Sequence, residues 1–394
     1  MEWKLYFALS FAMFMEFAIW GAWAPVLAAR LLGPLKMSGK QTGWIYATLP
    51  LACIISPLVA GQLADKYVNT ESILAVAHLI GAVLLFLAAR QTKFKNLLGL
   101  MLLFSLCYAA TLPLVNAMMF SQLARNNLDA SAYSPKIFLW APVAWALVGY
   151  FLTGWRWKFK TGEEGQDCLY LAAILAVIMG IGCFFMPNTP PAKAGVAPIA
   201  DAMSMLGEPN FLIFIVISMI VAGLMQFYFL GTAQFMQNMG IASKNVPASM
   251  AIAQAVQAIA TFFALAYLTT QIGYKWTLII GAACWLLMYI IYVKGKPLWL
   301  IVVSQSLHGL AYVLFIIAGQ MLANELASEA TVSSMQALIM AAQTGLGMFL
   351  GTQLAGIVMD KFRKEEQFQW NKIFMVPGAV ALVCILVFII FFKG

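Results

Sequence analysis

From Pro187 to Pro209 the chain reads PNTPPAKAGVAPIADAMSMLGEP, with Asn188, Thr189, Pro190, Pro191 and Gly195 close together. Proline removes a backbone donor and, with glycine, resists a continued helix, so this stretch reads as a linker. On its N-terminal side lie six hydrophobic runs, at approximately 5–31, 43–64, 72–90, 96–121, 137–155 and 167–187. Six more follow it, at 210–238, 246–270, 275–293, 298–324, 331–359 and 373–392. A helical crossing of the bilayer core takes about 20 apolar residues, which each run supplies. The expectation is an all-α membrane protein of twelve transmembrane helices in two six-helix bundles, 1–187 and 210–394, joined by a linker at 188–209.

Composition agrees. Hydrophobic residues make up 63% of the 394 and charged ones 10%, against about 45–50% and 25% in an ordinary soluble domain. The runs are too long and continuous for the alternating strands of a membrane barrel. The first, from Tyr6 to Leu32, exceeds a signal-peptide core and lacks a small-residue cleavage site, so it reads as a retained helix. The formal charge of +8 sits in short inter-helix loops, where lipid headgroups rather than nucleic acid are the expected partners. Six scattered cysteines form no CxxC pair and no histidines cluster, so neither a disulfide framework nor a metal site is expected. No GxxxxGK[ST], HExxH or GxSxG is present; the chain reads as no enzyme and needs no cofactor, and any driving force is expected from an ion gradient.

Function should then lie in the few polar residues inside the runs. Glu16 is the only acid well inside one; an isolated carboxylate at that depth is costly, which makes it the candidate proton carrier. Gln226, Gln254 and Gln257 form a neutral amide set, the last two on one helical face. Each amide offers two donors and an acceptor, suited to a nucleobase edge or sugar hydroxyls. Glutamines also join helices in lipid, a plainer reading that stays open. Asn116, His308 and Gln320 are further candidates, with His308 able to titrate or simply to donate to a backbone carbonyl. A membrane-embedded enzyme would need clustered acids, histidines or nucleophiles, and only Glu16 and His308, on different helices, stand at membrane depth. A sensor that binds without transporting would be expected to carry a large soluble domain.

Gly61-Gln62-Leu63-Ala64-Asp65-Lys66-Tyr67, after the second run, resembles the GxLaDr loop of the major facilitator superfamily, which is cytoplasmic. The resemblance implies the major facilitator fold and a conformational latch at Gly61, Asp65 and Lys66, the glycine permitting close helix approach and the aspartate capping a helix end or pairing with a basic residue. A narrower resemblance, to the bacterial nucleoside:proton symporter family, spans nearly the whole chain. It rests on Trp20-Gly21-Ala22-Trp23, on Thr111-Leu112-Pro113-Leu114-Val115-Asn116, on Ser218-Met219 with Gln226, on Gln254 with Gln257, and on His308-Gly309-Leu310-Ala311-Tyr312 with Gly319-Gln320. Phe138, Trp145, Phe229 and Tyr312 fall at or beside that family's site positions, where rings can stack on a base or sugar.

The chain departs from the family at charged positions. Phe138 stands where an arginine is usual, Pro142 where a threonine is, Val313 where an aspartate is, Phe229 for an asparagine and Gln257 for a glutamate. Losing the arginine and the aspartate together is electrostatically coherent, since either alone would be an unpaired intramembrane charge. The resemblance implies alternating-access transport of a small neutral polar solute, a nucleoside first, with proton symport through Glu16. Uncoupled, facilitative transport, or transport of a sugar or nucleobase, is the alternative. It further implies a monomer in the bacterial inner membrane with both termini cytoplasmic, although the Lys/Arg bias of the loops argues for the reverse orientation.

Overall fold

Without water to bond to, backbone N–H and C=O groups inside a bilayer must pair within their own segment, so apolar runs of this length fold as helices. The computed structural model describes every residue except 129–132, 134–135, 192–204, 327–337, 366 and 394, and also leaves out the side chains of 58, 61, 62, 65, 66, 266 and 324. Most of the expected linker therefore lies outside the described residues. Among the described residues the fold is nearly all helical, the exception being a two-stranded pairing of Arg363–Lys364 with Gln367–Phe368. Among the described residues, eleven stretches are long and apolar enough to cross a membrane. A continuous 28-residue helix, Gly39–Lys66, occupies the place of the second run.

In chain order the first helices are α1 (Trp3–Trp23), α2 (Leu27–Leu32), α3 (Gly39–Lys66), α4 (Thr70–Ala89), α5 (Phe94–Arg125), α6 (Trp140–Phe159) and α7 (Asp167–Gly182). After the linker come α8 (Pro209–Asn238), α9 (Val246–Phe263), α10 (Leu265–Gln271), α11 (Gly273–Lys294), α12 (Leu298–Val303), α13 (Gln305–Ala311), α14 (Ala318–Glu325), α15 (Met348–Lys361) and α16 (Trp370–Phe391). The first span is broken between α1 and α2, where Pro25 supplies no backbone donor. Two spans contain π-helical segments, Tyr312–Ile317 and Ala341–Gly347. Such wider turns re-aim side chains and recur at functional sites.

By contacts the chain divides into two units. The first comprises Met1–Met37, Leu51–Ala194 and Ser243–Ala248. In it α4 packs against α5 and α7, and α1 against α6 and α7. The second comprises Ser38–Pro50, Gly195–Ala242 and Ser249–Gly394, with α8 against α15 and the Ala341–Gly347 segment, and α11 against α13 and α16. Its α8 and α15 meet backbone to backbone: a Cβ on Gly351 would overlap the carbonyl of Gly223, and one on Gly223 would meet the carbonyl of Gly347 at 2.8 Å. Small residues permit this approach in lipid, where packing rather than hydrophobicity joins helices.

Two cations correct the expectation that the basic residues sit in loops facing lipid headgroups. Arg30 lies in α2 with its side chain buried. Its guanidinium donates to the carbonyls of Glu164 (2.7 Å), Ala89 (3.2 Å) and Gln91 (3.5 Å), closing the end of α4 whose last carbonyls lack helical partners. Arg156 is buried as well, in a two-pronged pair with Asp167 at 2.8 and 2.7 Å that ties α6 to the start of α7.

Candidate proton and substrate sites

The first unit is built around Glu16. Its carboxylate is 0% exposed on α1. Oε2 lies 2.9 Å from Nε2 of His78 on α4, itself 2% exposed. Oε1 is 2.6 Å from the hydroxyl of Thr111 on α5, and the phenol of Tyr108 donates to the Glu16 backbone carbonyl at 2.6 Å. Glu16 is thus not isolated, as its solitary place in the sequence implies, but shares a buried pocket with a second titratable group. A carboxylate and an imidazole in contact can hold a proton on either partner while the pair stays hydrogen-bonded. Trp20 extends the pocket, edge-on to Tyr108 at 6.4 Å and to Trp145 at 5.5 Å. Gly21 makes room for that contact, since a Cβ there would lie 3.0 Å from the Trp145 ring.

On the same unit Asn116, half-buried on α5, has its side-chain oxygen buried with no hydrogen-bond partner. Trp145 is buried on α6, and Phe138, half-buried before α6, packs on Phe120 at 6.2 Å. Gly61, Asp65 and Lys66 fall at the C-terminal end of α3, and their side chains lie outside the described residues.

The second unit gathers around His308 and Gly309 of α13. The imidazole is 1% exposed and stacks on Tyr228 with centroids 3.7 Å apart and planes 12° from parallel. Phe229 meets it edge-on at 5.9 Å. The indole of Trp285 on α11 donates to His308 Nδ1 at 3.1 Å. An indole N–H can only donate, so this nitrogen is held as an acceptor and the ring as the neutral tautomer. Protonating Nδ1 would break that bond, and the contact joins α13 to α11. Gly309 brings α13 onto the backbone of α9 at Ala253 and Gln257. A Cβ there would lie 3.0 Å from the Gln257 nitrogen.

The same unit carries the amides. Gln226 on α8 is 2% exposed and its Nε2 has no hydrogen-bond partner. Gln254 is buried and Gln257 half-buried on α9, so none of the three is exposed. Tyr312, half-buried, opens the π-helical segment one turn beyond His308, and Gln320 is half-buried on α14. A buried amide donor left unpaired costs about 1–3 kcal/mol unless something accepts from it. Gln226 therefore offers a hydrogen bond that the protein itself does not take up.

His78, Tyr108 and Thr111 are the site residues that sequence reasoning missed. The signal for His78 was available, as a histidine in the middle of the third run, but nothing local ties it to a residue 62 positions earlier. Its pairing is a product of tertiary packing.

A family model described as nucleoside H+ symporter matches residues 3–394. The putative nucleoside transporter YegT of Escherichia coli (strain K12) is 28% identical over 98% of this chain and 93% of its own length. The nucleoside permease NupG of the same organism is 24% identical over 98% and 95%. The crystal structure of the nucleoside transporter NupG superposes with a TM-score of 0.87 at 23% identity, covering 99% of both chains. With the helical architecture, these matches make the chain a multi-pass membrane transporter of the major facilitator type, not an enzyme. It belongs to the nucleoside H+ symporter family.

Proposed function

We propose that the chain carries nucleosides across the bacterial inner membrane by alternating access, and that a proton bound at the Glu16–His78 pair is co-transported. The observation that carries this reading is the 2.9 Å contact between two titratable groups buried at 0% and 2% exposure. A buried ion pair is weak evidence of a stabilising role, because well-packed apolar replacements are often neutral. A carboxyl–imidazole pair at this depth has its natural use in binding and releasing a proton. The amides of Gln226, Gln254 and Gln257, with Phe229 and Tyr312, supply donors, acceptors and ring faces for a planar base and its sugar. In the first unit Asn116, Trp145 and Phe138, and in the second unit Gln320, are further proposed substrate contacts. The neutral character of these groups suits an uncharged solute. The protein then acts as a monomer with both termini cytoplasmic, Gly61, Asp65 and Lys66 latching one conformation from the C-terminal end of α3.

Sealed proteoliposomes test the coupling. For one proton per solute, a gradient of one pH unit supports about tenfold accumulation, since one unit corresponds to about 1.4 kcal/mol. The wild-type protein should concentrate labelled nucleoside to that extent, and unlabelled sugars or free bases should compete poorly. Glu16→Gln should bring the solute only to equal concentrations on both sides. Accumulation by Glu16→Gln matching the wild type would remove the pair from the mechanism, and uncoupled transport by the wild type would favour a facilitative carrier.

A further inference from the structure

The Thr111 hydroxyl sits between two acceptors. Its oxygen is 2.6 Å from Glu16 Oε1 and 2.7 Å from the carbonyl oxygen of Tyr108 on its own helix. A hydroxyl carries one proton and two lone pairs, so it cannot fully donate to both. With Glu16 ionised, Thr111 donates to the carboxylate and the Tyr108 carbonyl goes without it. With a proton on Oε1, the carboxylic acid donates to Thr111 Oγ1, whose own proton turns to the Tyr108 carbonyl. In both states Nε2 of His78 can go on donating to Oε2. Only the protonated state satisfies both short contacts at once.

We infer that Thr111 reads the protonation of Glu16 and passes it to α5, making it a positioning residue that couples proton binding to the substrate contact at Asn116. The receiving element is suited to this. Two residues on, Pro113 interrupts α5, removing the donor that the Ala109 carbonyl would receive. A threonine hydroxyl bonded back to a carbonyl of its own helix bends that helix. Protonation of Glu16 switches this back-bond on beside an existing break in the ladder, and a change of bend there moves the segment that follows. Asn116, with its unpartnered side-chain oxygen, lies one turn into that segment.

The other titratable groups facing Glu16 are few. His78 comes from α4, Tyr108 from α5, and Cys183, directly after α7, interacts with it electrostatically. Cys53 of α3 lies beyond Tyr108, and α6 contributes Trp145 through Trp20, which does not titrate. The relay thus has one acid, one imidazole and one hydroxyl.

The inference rests on Glu16 being the proton site, and one set of measurements separates the two claims. Infrared difference spectra between acid and alkaline pH report the carboxylic acid stretch, and equilibrium binding of labelled uridine and adenosine at the same two pH values reports the coupling. In the wild type the stretch appears on acidification and the nucleoside Kd changes with it. In Glu16→Gln the stretch should disappear and the Kd should become independent of pH. Thr111→Val preserves the side chain's shape without the hydroxyl. It should keep the stretch, shifted by the lost hydrogen bond, while the ratio of Kd values falls to about one, and Thr111→Ser should restore that ratio. Thr111→Ala serves the same purpose should the valine variant not fold. A valine or alanine variant whose Kd still follows pH as in the wild type overturns the relay and leaves Glu16 in place. A Glu16→Gln protein that retains both stretch and pH dependence overturns the proton site and the relay together.

Discussion

Each unit buries one histidine almost completely, His78 at 2% and His308 at 1% exposure, yet their surroundings are opposite in character. His78 faces a carboxylate at 2.9 Å. His308 is sandwiched on Tyr228, flanked by Phe229 and bonded by a Trp285 N–H that has nothing to exchange. Depth of burial therefore says little about a histidine's role in a membrane protein, and the chemistry of the atom opposite each ring nitrogen says most of it. The same contrast runs through the units, one holding the proposed proton pocket and the other a junction of rings.

The contrast is broken most forcefully by removing His308. His308→Ala leaves the buried Trp285 N–H without an acceptor and opens a void beside Tyr228. An unpaired buried donor and a large-to-small change together cost about 3 kcal/mol or more. Thermal unfolding of the purified protein should show a large loss of stability, while the pH dependence of uptake by the folded fraction stays as in the wild type. A stable variant with an altered pH profile would move the proton site to the second unit.

His78→Leu should do the reverse. In the wild type a ring nitrogen of His78 lies 2.9 Å from Glu16 Oε2. Leucine removes that partner from a buried carboxyl group, so the pH profile of uptake should move away from that of the wild type. A hydrogen bond to a charged group contributes about 1.5–3 kcal/mol, enough for the change to be read directly from uptake curves. His78→Gln, which keeps a donor, should move it less. An unchanged profile would mean that His78 packs against Glu16 without tuning it.

Which parts of this could be read from the sequence follows from where the determining physics is local. The spans were legible because lipid leaves a run of apolar residues little choice but helix. Glu16 was legible because a single acid in such a run stands out. Its partner was not, since α1 must pack beside α4 before His78 and Glu16 can meet. Arg30 was misread for a related reason: it ends a hydrophobic run, where a cation normally reaches for headgroups, and only the folded chain shows the carbonyls of Glu164, Ala89 and Gln91 converging on it. The π-helical turns at Tyr312–Ile317 and Ala341–Gly347 leave no mark on hydropathy, because the wider turn alters the facing of side chains and not their composition. The amides were found as a set, but the unpartnered Nε2 that singles out Gln226 is a property of its neighbours.

The finest test of the contrast leaves both histidines in place and changes only what His308 hears from Trp285. Trp285→Phe keeps most of the ring packing against His308 and Phe315 and deletes the single N–H donor to Nδ1. The loss of one neutral hydrogen bond should lower stability by about 1 kcal/mol, readable as a small drop in unfolding temperature. The freed Nδ1 then has a lone pair available for a proton, in a pocket of rings that offers no counter-charge. With aromatic rings rather than a carboxylate packed against the imidazole, the pH profile of nucleoside uptake should overlay the wild type. Should the profile move when only this indole donor is lost, the second histidine would be exchanging protons after all, and the division of labour between the two units would have to be redrawn.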